Sequence, residues 1–171
     1  MREFINIVEN ALPTRPVNEV LFHGSANNFD QFEVGHSNGW SRARQGFYFT
    51  DDQDAAKEFF GKVTTWHVNM HNAADFEHGK GSEIVRRAIE TMPVLQKDLE
   101  AIRTAYGQDH EDNFLASRFA SRGYLQSNEF IAALRKLGYD GMIFDDVMSQ
   151  TPFTSYVAFD PSSATKVQSN A

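Results

Sequence analysis

Leu21-Phe22-His23-Gly24-Ser25 and Gly46-Phe47-Tyr48-Phe49-Thr50-Asp51 are the stretches from which the fold is read. Val20-Leu21-Phe22 is a short apolar strand that delivers a histidine followed at once by a glycine. Phe47-Tyr48-Phe49 is a second strand, entered from Gly46. Side chains alternate across a strand, so Tyr48 points away from whatever Phe47 and Phe49 pack on. A helix follows over Gln53 to Gly61, with Thr50, Asp51 or Asp52 able to cap it. Two strands that each present a polar or aromatic group beside a glycine predict a cleft in which backbone approaches a ligand closely.

The flanking sequence supplies the rest of a mixed fold. Phe4, Ile5, Ile7, Val8 and Leu12 sit at helical spacing, stopped by Pro13, and Thr14 to Asn18 reads as a connector. The first strand is Glu19 to His23. Asn27 to Gly39 is loop pinned by Phe29 and Phe32, and Trp40 to Gln45 is a polar loop holding Arg42 and Arg44. Lys62 to Met70 alternates as a strand, with a loop over 71–81. Helices are predicted over Ser82 to Glu90, Val94 to Tyr106, Asp112 to Arg122 and Asn128 to Leu137. Ser82 caps the first of these, and Ser127 or Asn128 the last. Gly141 to Phe144 and Ser155 to Phe159 are strands separated by a loop, and Ala164 to Val167 is a short final strand. Strands at both ends with helices between them make an α+β fold, one domain over residues 1–171.

Composition narrows the chemistry. A chain of 171 residues can bury one real core, and its 15 phenylalanines predict that the core is aromatic. There is no cysteine, which removes disulfides, thiolate catalysis and cysteine zinc sites. A formal charge of −7 argues against non-specific nucleic-acid binding through a basic face. No run approaches the ~20 apolar residues of a membrane span. The opening residues carry acids inside their apolar stretch, unlike a signal peptide, so the expected compartment is the cytoplasm.

Two short signals are set aside. His67 and His71 have a zinc spacing on a helix, but on a strand four residues span ~13 Å. Gly79-Lys80-Gly81-Ser82 lacks the earlier glycine and the preceding strand of a phosphate loop. No metal is expected.

His23-Gly24-Ser25, then Gly46 to Asp51 and a helix ending in Phe59, resembles the ADP-ribosyltransferase fold of the diphtheria-toxin and poly(ADP-ribose)-polymerase type, with its histidine–tyrosine–glutamate triad. Gly138-Tyr139-Asp140-Gly141-Met142-Ile143 and Ser155-Tyr156-Val157-Ala158-Phe159-Asp160-Pro161 resemble the closing segments of bacterial and phage relatives, such as the domains of phage polyvalent proteins. The resemblance covers 19–70 and 128–168. It implies a split antiparallel sheet core with a helical insertion over 72–127. It implies NAD as substrate and no metal. His23 would bond the adenosine ribose, Gly24 would clamp the nicotinamide carboxamide through its backbone, and Ser25 would sit beside the nicotinamide ribose. Tyr48 would stack on the nicotinamide ring, with Phe59 on the other face and Phe49 beside it. The rings of His23 and Tyr48 would then face each other across one groove. Arg42 and Arg44 could meet the pyrophosphate.

One position departs from the family's pattern. The glutamate that precedes the tyrosine of the final strand is Ser155 here. A carboxylate there orients the ribose and stabilises developing positive charge. Relatives without it transfer a single ADP-ribose or are inactive, so Ser155 implies mono-ADP-ribosylation at most, or a binding-only module. Glu129 or the Asp145-Asp146 pair could substitute. The expected function is a mono-ADP-ribosyltransferase acting on a macromolecular acceptor, a protein first, with a nucleic acid not excluded. The alternatives are a non-catalytic NAD or ADP-ribose binding module and an NAD glycohydrolase toxin. A phage-encoded or delivered effector would act in the host cytoplasm. The block over 82–125 is the natural candidate for partner recognition.

Overall fold

The computed structural model describes residues 12–33, 46–107, 127–148 and 151–168. The helix expected before Pro13, that over 112–122, and Arg42 and Arg44 lie outside these residues. Strand β1 is Thr14–Ser25, β2 is Phe47–Thr50, α1 is Gln53–Phe60 and β3 is Lys62–Asp75. Helices α2 (Ser82–Glu90), α3 (Pro93–Tyr106) and α4 (Asn128–Lys136) follow, then β4 (Gly141–Met148), β5 (Thr151–Ala158) and β6 (Ala164–Lys166).

The ladder order is β1–β2–β5–β4–β3–β6, and β1 also pairs with β3. The first five strands therefore close into a barrel, which removes their free edges. Two features differ from the expected split antiparallel sheet: β3 and β4 run parallel, and the ladders close. Closure is uneven. β1 lies along β3 from Thr14 opposite Ala74 to Ser25 opposite Lys62, yet it meets β2 only where Phe22 faces Thr50 among the described residues.

Alternation gives the barrel two faces. Leu21, Phe47, Phe49, Trp66, Val68, Met70, Ile143 and Tyr156 form one buried cluster. All five closing strands contribute to it, so it fills the barrel. Met142, Phe144 and Val157 point outward into a second cluster with Ile84, Val85 and Ile89 of α2 and Phe130, Ile131 and Leu134 of α4. Each fully buried aromatic here stabilises by roughly 1.5–3 kcal/mol.

Four strands run longer than local pattern predicts. β1 starts at Thr14 although Pro16 removes a donor, because the register shifts between Arg15 and Val17 and the proline sits in that irregularity. β3 continues through 71–75, where Ala73 to Asp75 pair with Gly141 to Ile143 and the Asp140 carboxylate accepts from the His71 and Asn72 amides. β4 and β5 extend to Met148 and back from Thr151, so most of the expected loop over 145–154 is ladder. These pairings are non-local and carry no signal in a short window. Helix ends follow the expected chemistry. Asp52 accepts from the Asp54 and Ala55 amides, and Ser127 accepts from the Phe130 amide. Ser82 is not the cap of α2; Gly81 is, at φ 83°, a left-handed conformation that disfavours side chains.

Candidate active site

His23 is held from two sides. Its Nδ1 lies 2.7 Å from the Tyr48 carbonyl oxygen and donates to it. Its own carbonyl accepts from Thr64 Oγ1 at 3.2 Å, and Thr64 Oγ1 in turn accepts from Trp66 Nε1 at 2.8 Å. Around the imidazole stand Phe29, Phe32 and Phe49, with ring centroids 5.5, 5.0 and 5.9 Å away. Burial among these rings pushes the imidazole pKa below its ordinary value, and the bond to Tyr48 works against that shift. With Nδ1 donating, the neutral ring keeps Nε2 as an acceptor.

Tyr48 takes the other face. It is half-buried and packs against the outer cluster, above Gly46, where a methyl group would lie 3.7 Å from Tyr48 Cε2 and 2.5 Å from Val157 Cγ1. The two rings therefore do not face each other across one groove. Register is the reason: Phe22 faces Thr50, so His23 shares a side with Phe49 and Tyr48 must point away. What joins the two residues is the imidazole-to-carbonyl bond.

Gly24 and Ser25 have local structural partners. A methyl group on Gly24 would fall 2.0 Å from the Ala56 carbonyl oxygen, so the close approach this glycine permits is that of α1. The buried Ser25 hydroxyl accepts from the Asn27 amide at 3.2 Å and turns the chain out of β1. Phe49 is 2% exposed and belongs to the barrel core. Phe59 lies on α1, with its side chain outside those described.

Ser155 is brought beside Tyr48 by the β2–β5 ladder, in which Tyr48 faces Val157 and Thr50 faces Ser155. Tyr48, Thr50, Ser155 and Val157 thus share one side. On the far edge of β5, Ser155 faces Phe144. Asp146, two residues on from Phe144 and on the same side, accepts from Ser155 Oγ at 3.1 Å. Asp145 points to the opposite side, where its Oδ2 accepts from the His78 amide at 2.6 Å and lies 3.5 Å from His78 Nδ1. Glu129 is an exposed residue in the first turn of α4.

Where β2 stops, an open groove of about 570 Å³ lies between β1 and β5, lined by Phe22, Asp51, Asp52, Gln53, Pro152, Phe153 and Thr154. Its rim carries carboxylates. Tyr156, inside the barrel, has its hydroxyl pKa pushed up to about 12 by burial and by the charges of Glu19, Asp51 and Glu77, against the opposing effect of Arg15. Glu77, His78 and Asp145 could each offer one ligand atom to a metal, all within 4.8 Å of one another. Those atoms already have partners: Glu77 Oε2 lies 2.7 Å from Arg15, and Glu77 Oε1 accepts from Thr154. His67 lies on β3 as expected, and His71, within the span expected as loop, lies on the extension of that strand.

A family model described as "ADP-Ribosyltransferase in polyvalent proteins" matches residues 17–171. No curated protein matches the chain. A crystal structure described as that of an anti-CRISPR protein is similar over 88% of this chain and 96% of its own length, at 12% identity and a TM-score of 0.41.

Proposed function

The chain belongs to the family of ADP-ribosyltransferases in polyvalent proteins, and from that premise we propose that it transfers a single ADP-ribosyl group from NAD to a macromolecular acceptor, a protein first among candidates, and releases nicotinamide. One observation carries the reading within the fold. Three positions that match the family's triad, at 23, 48 and 155, are far apart in sequence yet adjacent across β1, β2 and β5. His23, whose ring turns toward the barrel, positions Tyr48 through its bond to that residue's carbonyl. Tyr48, half-buried against the outer cluster, is the ring proposed to meet nicotinamide. The positively charged pyridinium of NAD suits the carboxylates of this region, Asp51 and Asp52 on the groove and Asp146 at Ser155. The pyrophosphate needs cations, and Arg42 and Arg44 are the residues proposed for it.

Labelled NAD incubated with the protein in a bacterial lysate tests this. The expected result is release of nicotinamide together with label on a macromolecule. Nicotinamide release with no labelled macromolecule would favour the hydrolase. Ser155 motivates the second reading, a binding module on the same fold, and NAD affinity without any nicotinamide release would favour it.

A further inference from the structure

We propose that Asp146 supplies, through Ser155, the carboxylate that the family's pattern places at position 155. This rests on the transferase reading above and adds the residue that completes its site. Three carboxylates were candidates on sequence, and geometry separates them. Glu129 is exposed on α4. Asp145 points to the opposite side of β4 and holds the His78 amide. Asp146 lies on the same side as Ser155, on the adjacent antiparallel strand, and accepts the Ser155 hydroxyl proton at 3.1 Å.

The chemistry follows from that bond. A serine that donates its proton to a carboxylate leaves its oxygen lone pairs as acceptors, enriched by the negative charge behind them. Ser155 Oγ can then accept from a ribose hydroxyl, while Asp146 provides the charge. In the reaction, the bond between nicotinamide nitrogen and the anomeric carbon breaks. Its electron pair leaves with nicotinamide, which departs neutral. The positive charge passes to the ribose as an oxocarbenium ion, stabilised by the fixed carboxylate. The acceptor nucleophile bonds to the anomeric carbon and loses its proton to solvent. Asp146 is thus a positioning residue: it orients and polarises Ser155 and supplies charge through it.

The test uses the full chain with NAD and the lysate acceptor. Asp146→Asn keeps an oxygen that can accept from Ser155 and removes the charge. Its kcat for nicotinamide release should fall about 100-fold, with NAD Kd and the unfolding midpoint nearly unchanged. Asp145→Asn should keep wild-type kcat. Adding Ser155→Glu to Asp146→Asn should restore kcat, because the charge then returns at the family's own position; a purely structural Asp146 would give no such rescue. Undiminished turnover in Asp146→Asn overturns the assignment while leaving the transferase reading intact. A wild-type protein that binds NAD without turnover, and gains turnover only with Ser155→Glu, shows that Asp146 does not supply the charge. A wild-type protein that neither binds nor cleaves NAD overturns the transferase reading, and the assignment with it.

Discussion

The His23 imidazole donates from Nδ1 to the Tyr48 carbonyl oxygen at 2.7 Å, across a ladder that β1 and β2 otherwise share, among the described residues, at a single residue pair. A side chain thus does what a strand amide would normally do. This fixes the tautomer of His23. Burial holds the imidazole pKa below the ordinary value of 6.5. The unfolded chain therefore takes up a proton near pH 6.5 that the folded chain accepts only at lower pH. Stability from the neutral ring is complete above that point and declines as pH falls from it toward the folded value. Denaturation midpoints measured between about pH 7.5 and about pH 5 should show this decline, and His23→Gln should flatten it. Identical slopes in the two proteins would mean that another group is responsible.

Gly24 is expected to be intolerant of a methyl group. The added carbon would overlap the Ala56 carbonyl oxygen at 2.0 Å, which is backbone and cannot swing aside. Gly24→Ala should cost about 1–3 kcal/mol in urea unfolding as α1 is pushed off β1. A variant as stable as wild type would show that α1 does not rest on this glycine.

Tyr48 separates packing from ligand binding. Tyr48→Leu keeps apolar contact with the outer cluster and removes the aromatic face. Wild type should gain about 2.7 kcal/mol of stability with NAD at ~100 times Kd. The variant should gain almost none, whatever its stability without NAD. An undiminished gain would remove Tyr48 from the nicotinamide site.

Metal dependence is not expected. In the Glu77–His78–Asp145 group, Arg15 and Thr154 hold the Glu77 carboxylate and His78 holds Asp145. A divalent ion would have to displace an ion pair already made. Treatment with EDTA, followed by added Mg²⁺, Mn²⁺ or Zn²⁺, should leave both the unfolding midpoint and nicotinamide release within error of untreated protein. A chelator-sensitive, metal-restored activity would reverse this assignment.

Much of the site's composition was legible in the residues, and its arrangement was not. The tyrosine between two phenylalanines announced that Tyr48 leaves the barrel core, and Phe47 and Phe49 do line that core. The close approach at Gly24 that the structure shows is made by α1; a glycine records that something comes close and not what it is. The Asp146–Ser155 bond lay hidden because Pro152 and the polar run around it read as loop. Pairing Asp146 with Phe153 and Phe144 with Ser155 would have revealed it.

The sequence by itself determined the parts: which short runs are strands, that helices start among Thr50 to Asp52 and at Ser127 or Asn128, and which residue types stand at 23, 48 and 155. Those properties are local, set by alternation, capping and punctuation within a few residues. Tertiary structure alone decided that the strands close into a barrel, that His23 and Tyr48 point to opposite sides, and which of three carboxylates meets Ser155. Each depends on the register between strands distant along the chain, and a slip of one residue would turn every side chain to the other face.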